Sequence, residues 1–184
     1  MIDIKTKLRN DYLIKLRDLS TDKRMRINQE LQKSLFHHEL WLNSDTIGIT
    51  ISQNHEWDTW PIIERAWHEG KTVVVPKCEP KFKEMTFYQI DSREDLAVQF
   101  FNLLEPIIEK TNKIAKSKID LLVVPGLVFD HYHYRIGHGG GYYDRFLTDF
   151  NQETVALVWK GQLIEKINIE SFDQPIKELI IADV

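Results

Sequence analysis

LLVVPGLVFDHYHYRIGHGGGYYDRF, residues 121–146, carries the reading of the fold. It opens on four apolar residues, the mark of a strand buried on both faces, and turns at Pro125-Gly126. A long polar turn follows. Gly137, Gly139, Gly140 and Gly141 then supply four glycines in five positions, and a helix candidate starts at Gly141. Glycines let the backbone come close to a ligand, and a helix N-terminus presents free N–H groups, so strand, glycine turn and helix make a candidate phosphate cradle.

Working outward, runs at 46–51 (TIGITI), 72–75 (TVVV), 85–90 (MTFYQI) and 154–159 (TVALVW) are also β-branched or aromatic and read as strands. Between the first two lies a helix over 59–69, with Trp60, Ile63 and Trp67 on one face and Gly70 as its stop. Residues 107–118 and 141–150 read as further helices. Ahead of all these, Ile4, Leu8, Tyr12, Leu16 and Leu19 recur at helical spacing. Ser20 or Thr21 caps a second helix, with Met25, Leu31, Leu35 and Phe36 on its apolar face, and His37 and His38 are expected to meet its last carbonyls. Alternating helices and strands predict a single three-layer α/β domain over 1–184 with a mainly parallel central sheet.

The 184 residues and net charge of −4 suit one domain and give no basic footprint for nucleic acid. No apolar run approaches the roughly 20 residues that span a bilayer. Charged residues in the first ten positions and a single cysteine, Cys78, predict a cytoplasmic protein.

The glycine run matches neither common phosphate fingerprint. It has no Gly-Lys-Ser/Thr, and the third glycine of a dinucleotide motif is missing. By composition it is either a tight turn or a phosphate loop. Arg135 and Arg145, which bracket it, can clamp phosphate oxygens, and Asp144 can hold a hard divalent cation. His131, His133 and His138 alternate in a way that invites zinc, but no further ligand stands nearby and magnesium prefers oxygen.

PGLVFDHYHYRIGHGGGYYDRFL, residues 125–147, resembles the signature of the 5-formyltetrahydrofolate cyclo-ligases. There Pro-Gly, Phe-Asp, Arg-Leu/Ile-Gly, a glycine cluster and Tyr-Tyr-Asp occur in this order. KTKLR, residues 5–9, matches that family's Lys-x-x-Leu-Arg. The resemblance implies a fold shared with certain sugar-phosphate isomerases. It also implies an ATP- and Mg²⁺-dependent monomer acting on 5-formyltetrahydrofolate, with no nucleic-acid or membrane partner.

By position, it assigns ATP to Lys5, Thr6, Lys7, Leu8 and Arg9 and to Arg135, Ile136, Gly137, His138, Gly139, Gly140, Gly141, Tyr142 and Tyr143, with Arg135 catalytic. Folate falls to Ile51, Glu56 and His138 to Tyr142, and Mg²⁺ to Asp144 and Asp173. The chain departs from the family's pattern at four places. His133 replaces a glycine, His138 a tyrosine or arginine, Gly140 a lysine, and Phe172 the histidine before Asp173. Two rival classes remain: a nucleotide- or folate-binding protein without turnover, and a sugar-phosphate isomerase, which needs an acid/base pair and no ATP.

Overall fold

A computed structural model of the chain describes residues 3–53, 55–99 and 103–184. Helix α1 (Ile4–Arg17) begins at Asp3, whose carboxylate accepts from Thr6 N–H, and α2 (Thr21–Phe36) begins at Ser20, whose hydroxyl accepts from Lys23 N–H. His37 Nδ1 lies 2.8 Å from the Lys33 carbonyl, as expected at a helix end. His38 does something else: its ring accepts from Leu40 N–H and caps α3 (Glu39–Leu42).

Then come β1 (Thr46–Gly48), α4 (Trp60–His68), β2 (Thr72–Glu79), β3 (Glu84–Ile90), β4 (Leu96–Val98), β5 (Leu104–Pro106), β6 (Asn112–Ile114) and β7 (Leu121–Val123). The chain finishes with β8 (Val128–Asp130), β9 (Arg135–Ile136), α5 (Tyr142–Leu147), β10 (Glu153–Trp159), β11 (Leu163–Ile164) and β12 (Glu178–Ala182).

The central sheet runs β12-β10-β7-β1-β2-β3-β6. Its first five strands are mutually parallel, and β3 and β6 complete it in antiparallel pairings. Strand alternation sends successive side chains to opposite faces. Val73, Val75, Leu121, Val123, Val155 and Leu157 therefore join Leu16 of α1, Leu31 of α2 and Ile62 of α4 in one core. Val74, Leu122, Ala156 and Val158 join Phe146 and Leu147 of α5 in the other. Each buried leucine or valine contributes roughly 1.5–3 kcal/mol, so both faces must be covered. Helix, sheet, helix is the three-layer α/β architecture expected.

Three local expectations are corrected. Residues 107–118 are not a helix: two short 3₁₀ turns flank β6, where Ile114 pairs with Phe87. Pairing with β3 overrides a helix-like spacing, and Lys113 charges the open edge of the sheet. On α4 the buried residues are Ile62, Ile63 and Ala66, while Trp60 and Trp67 pack only partly against the core. Trp67 sits there because its indole N–H must reach a partner, the Ile90 carbonyl at 3.0 Å. On α2, Ile27 takes the buried place expected of Met25, which is half exposed.

β1 and β7 lie side by side, and the chain passes from β1 to β2 on one side and from β7 to β10 on the other, so the connections of these two neighbours run in opposite directions. Such a switch point opens a crevice at the carboxyl ends of the strands. No helix among the described residues is long and apolar enough to cross a membrane.

Candidate active site

The polar turn of the opening stretch is held by Asp130, fully buried at the end of β8. One carboxylate oxygen accepts from the N–H groups of Tyr132 (3.0 Å) and Tyr134 (2.9 Å), and the other from Ile167 N–H (2.8 Å). His133 occupies the left-handed region at φ 68°. The residue that replaces a glycine thus adopts a glycine's conformation. Its Nδ1 lies 3.0 Å and 3.1 Å from the carbonyls of Ile176 and Lys177, an anchor that offsets the strain.

This turn delivers Arg135 on β9. Its Nη1 donates to Asp144 Oδ1 (3.1 Å) and to the Gln174 carbonyl (3.4 Å), and the guanidinium lies 5.7 Å from the Tyr143 ring centre. Arg135 Nε and the Tyr143 hydroxyl are both buried and have no hydrogen-bond partner among the described residues. Burial pushes the Tyr143 phenol well above its ordinary range. Buried polar atoms are normally satisfied, so an orphaned pair beside a glycine loop marks a place for a ligand.

The glycine loop meets α1. Arg9 Nε donates to the Gly137 carbonyl at 2.8 Å. Gly139 has φ +94°, and a Cβ there would lie 3.2 Å from the Arg9 guanidinium carbon. Arg145 Nη1 donates to the Gly140 carbonyl at 3.3 Å. Lys5 pairs with Asp173 (2.6 Å) and Glu170 (2.9 Å) and lies 5.7 Å from the Phe172 ring centre. Burial lowers the Lys5 pKa, but bonding to the two carboxylates outweighs it and leaves the ammonium above its ordinary range. Lys7 is exposed, and Leu8 packs on the helix-side core.

A small pocket fills the crevice beside β1 and β7. Thr50, Ser52, His55, Glu56, Trp57 and Gly126 are among its walls. Glu56 Oε2 accepts from Gln53 N–H at 2.7 Å, and burial raises its carboxyl pKa against that bond. Ile51 is not on the wall: it packs toward the helix-side core between two residues that are.

Local sequence gave no signal for three residues that shape this pocket. Arg24 of α2 donates to the carbonyls of Leu16, His55 and Glu56, fixing the loop that carries Glu56. Gln162, buried, accepts from Trp57 Nε1 (3.0 Å) and Trp159 N–H (2.9 Å) and donates to the carbonyls of Gly126 (3.3 Å) and Leu127 (3.2 Å). His55 sets its Nε2 2.8 Å from His138 Nε2, linking pocket to glycine loop. Burial, His138, Arg17 and Arg24 together lower its pKa to about 4, and burial and Arg9 lower that of His138.

His131, His133 and His138 do not gather into a ligand cluster among the described residues. His131 is exposed and His133 is bound to carbonyls. Burial and Glu105, opposed by Lys77, push the Cys78 thiol up to about 11, which disfavours the thiolate.

The family model described as the 5-formyltetrahydrofolate cyclo-ligase family matches residues 2–182. The 5-formyltetrahydrofolate cyclo-ligase of Mus musculus is 30% identical over 187 residues, covering 96% of this chain and 92% of that protein. The enzyme of the same name from Escherichia coli (strain K12) is 27% identical over 168 residues, covering 89% and 92%. The NMR structure of Aquifex aeolicus 5,10-methenyltetrahydrofolate synthetase superposes with a TM-score of 0.86 at 27% identity, over 97% of this chain and 90% of that one. A second solved synthetase, from Mycoplasma pneumoniae, shares the fold with a TM-score of 0.77 at 21% identity.

Proposed function

Because this chain belongs to the 5-formyltetrahydrofolate cyclo-ligase family, a family of ligases, we propose that it converts 5-formyltetrahydrofolate to 5,10-methenyltetrahydrofolate, with ATP cleaved to ADP and phosphate. The formyl oxygen attacks the γ-phosphorus and ADP leaves. N10 of the same folate then adds to the activated carbon, loses its proton, and phosphate departs. Both nucleophiles belong to the substrate, so the protein's part is positioning and charge stabilisation.

The observation that carries this reading is the orphaned pair, Arg135 Nε and Tyr143 Oη, buried beside the glycine loop that joins Arg9 to the Glu56 pocket. A phosphate oxygen satisfies Arg135 Nε–H, and the guanidinium neutralises charge that develops during transfer. Arg9 and Arg145 brace the loop carbonyls, which keeps its backbone open to the triphosphate. On the other side of His138, Glu56 accepts from pterin N–H groups in a pocket whose walls Arg24 and Gln162 hold in place.

Mg²⁺ fits the donor set at the far end. Asp144 and Asp173 each engage the protein through one carboxylate oxygen, Oδ1 and Oδ2 respectively, and the second oxygen of each has no hydrogen-bond partner among the described residues. Hard oxygen donors suit this ion. When bound with ATP it supplies charge neutralisation on the phosphates. The family match over 2–182 supports one domain holding the whole site, and on this reading the protein acts on small molecules as a cytoplasmic monomer.

The test is the absorbance of the methenyl product with and without ATP. Formation that requires ATP and releases one ADP per product supports the reading; an undiminished rate without nucleotide overturns it.

A further inference from the structure

Three side chains that can ligate a metal converge at the mouth of the Glu56 pocket. His55 and Glu56 come from the loop after β1, and His138 from the glycine run. One ligand atom of each lies within 4.8 Å of the other two. The two imidazole Nε2 atoms face each other at 2.8 Å, a contact that needs one proton between them. An ion about 2.0–2.1 Å from each nitrogen would hold them roughly 3 Å apart, so replacing that proton asks for little movement.

We infer that His55, Glu56 and His138 form a site for a divalent transition metal, with two imidazoles and one carboxylate as protein ligands and further positions open. Imidazole selects ions such as Zn²⁺ and Co²⁺, whereas Mg²⁺ seeks oxygen, so this site is separate in chemistry from the Asp144 and Asp173 carboxylates. In metal-bound form both rings carry their proton on Nδ1, which the neutral imidazoles reach by a change of tautomer with no net proton release. Arg17 and Arg24 bear on His55, and Arg9 on His138; these cations oppose a divalent ion and Glu56 offsets them.

A consequence rests on the proposed folate role of Glu56. The ion occupies the carboxylate that the pterin needs, so metal and 5-formyltetrahydrofolate exclude one another. Linkage makes the effect reciprocal: saturating folate weakens the metal by the factor that the metal weakens folate.

The test is a Co²⁺ titration of the metal-free full chain in excess Mg²⁺, followed by the d–d absorption of the ion. One Co²⁺ per chain is expected, with affinity at least about tenfold weaker in His55→Ala, His55→Gln and Glu56→Gln. His131→Ala, an exposed position, should match wild type. Absence of saturable binding, or wild-type affinity in whichever His55 variant is folded by circular dichroism, overturns the site. Adding 5-formyltetrahydrofolate should then bleach the Co²⁺ band. If folate binds and the band and its midpoint stay unchanged, mutual exclusion is wrong. If folate does not bind at all, the folate reading has failed and the metal site stands on the first titration.

Discussion

Arg9 and Gly137, 128 positions apart, are joined by a 2.8 Å hydrogen bond from guanidinium Nε to backbone carbonyl. Through it the N-terminal helix sets the shape of the glycine loop, and the loop has no slack there. Gly139→Ala would put a Cβ 3.2 Å from the Arg9 guanidinium at a φ of +94°. That strain should cost about 1–2 kcal/mol of stability and weaken binding of an ATP analogue. Gly137→Ala, whose Cβ would meet nothing within 4 Å, should be close to neutral in stability. Denaturant melts of the two variants check the contrast, and equal losses would reject the special role of Gly139.

Glu56→Gln keeps the side-chain volume but turns one acceptor into a donor that faces other donors. Losing a charge-assisted bond in a desolvated pocket typically costs on the order of 2 kcal/mol, or roughly thirtyfold in affinity. Titrations with 5-formyltetrahydrofolate and with an ATP analogue should show that loss for folate alone. A matching loss for both ligands would indicate a damaged fold instead.

Asp144 faces Arg135, whose side chain is almost wholly buried. Asp144→Ala leaves that cation unpaired and should cost about 3 kcal/mol or more. Asp144→Asn retains an oxygen for Arg135 and Gln174, so its melt should move less, while its half-saturating Mg²⁺ concentration should rise. If Mg²⁺ titrations of wild type and Asp144→Asn superimpose, the carboxylate serves Arg135 only.

Glu69 ties α4 to the buried Trp41: it accepts from Trp41 Nε1 at 2.9 Å and pairs with Arg65. Burial raises its carboxyl pKa, but the bonds from Arg65 and Trp41 prevail and hold it below the ordinary range. The folded state therefore favours the carboxylate. Its stabilisation is complete above the unfolded carboxyl pKa and is lost as pH falls through the lowered folded value. Glu69→Gln should be less stable than wild type at pH 7 by about 0.5 kcal/mol, a small figure because the Arg65 side is exposed and screened. Urea melts from pH 7 down to pH 3 should show that gap closing; a gap that widens with acid would contradict the sign.

The runs at 72–75, 121–124 and 154–159, and the first half of 46–51, determined the buried parallel strands, because side chains covered on both faces must be mostly apolar; β1 itself stops at Gly48. Helix caps at Asp3 and Ser20 involve groups three residues apart and are equally local. The run from Arg135 to Asp144 was legible because its glycines, arginine and aspartate are contiguous. Tertiary structure decided the rest. Residues 107–118 carry a helical spacing but yield a strand, since the edge of β3 has backbone groups to satisfy. Arg24, Gln162 and His55 have no local pattern. Their partners lie as far as 32, 105 and 83 positions away in Glu56, Trp57 and His138. Helix and strand periods report only neighbours within a few residues, whereas a hydrogen bond depends on atoms brought within about 3 Å. The packed sheet and its two cores fix those distances.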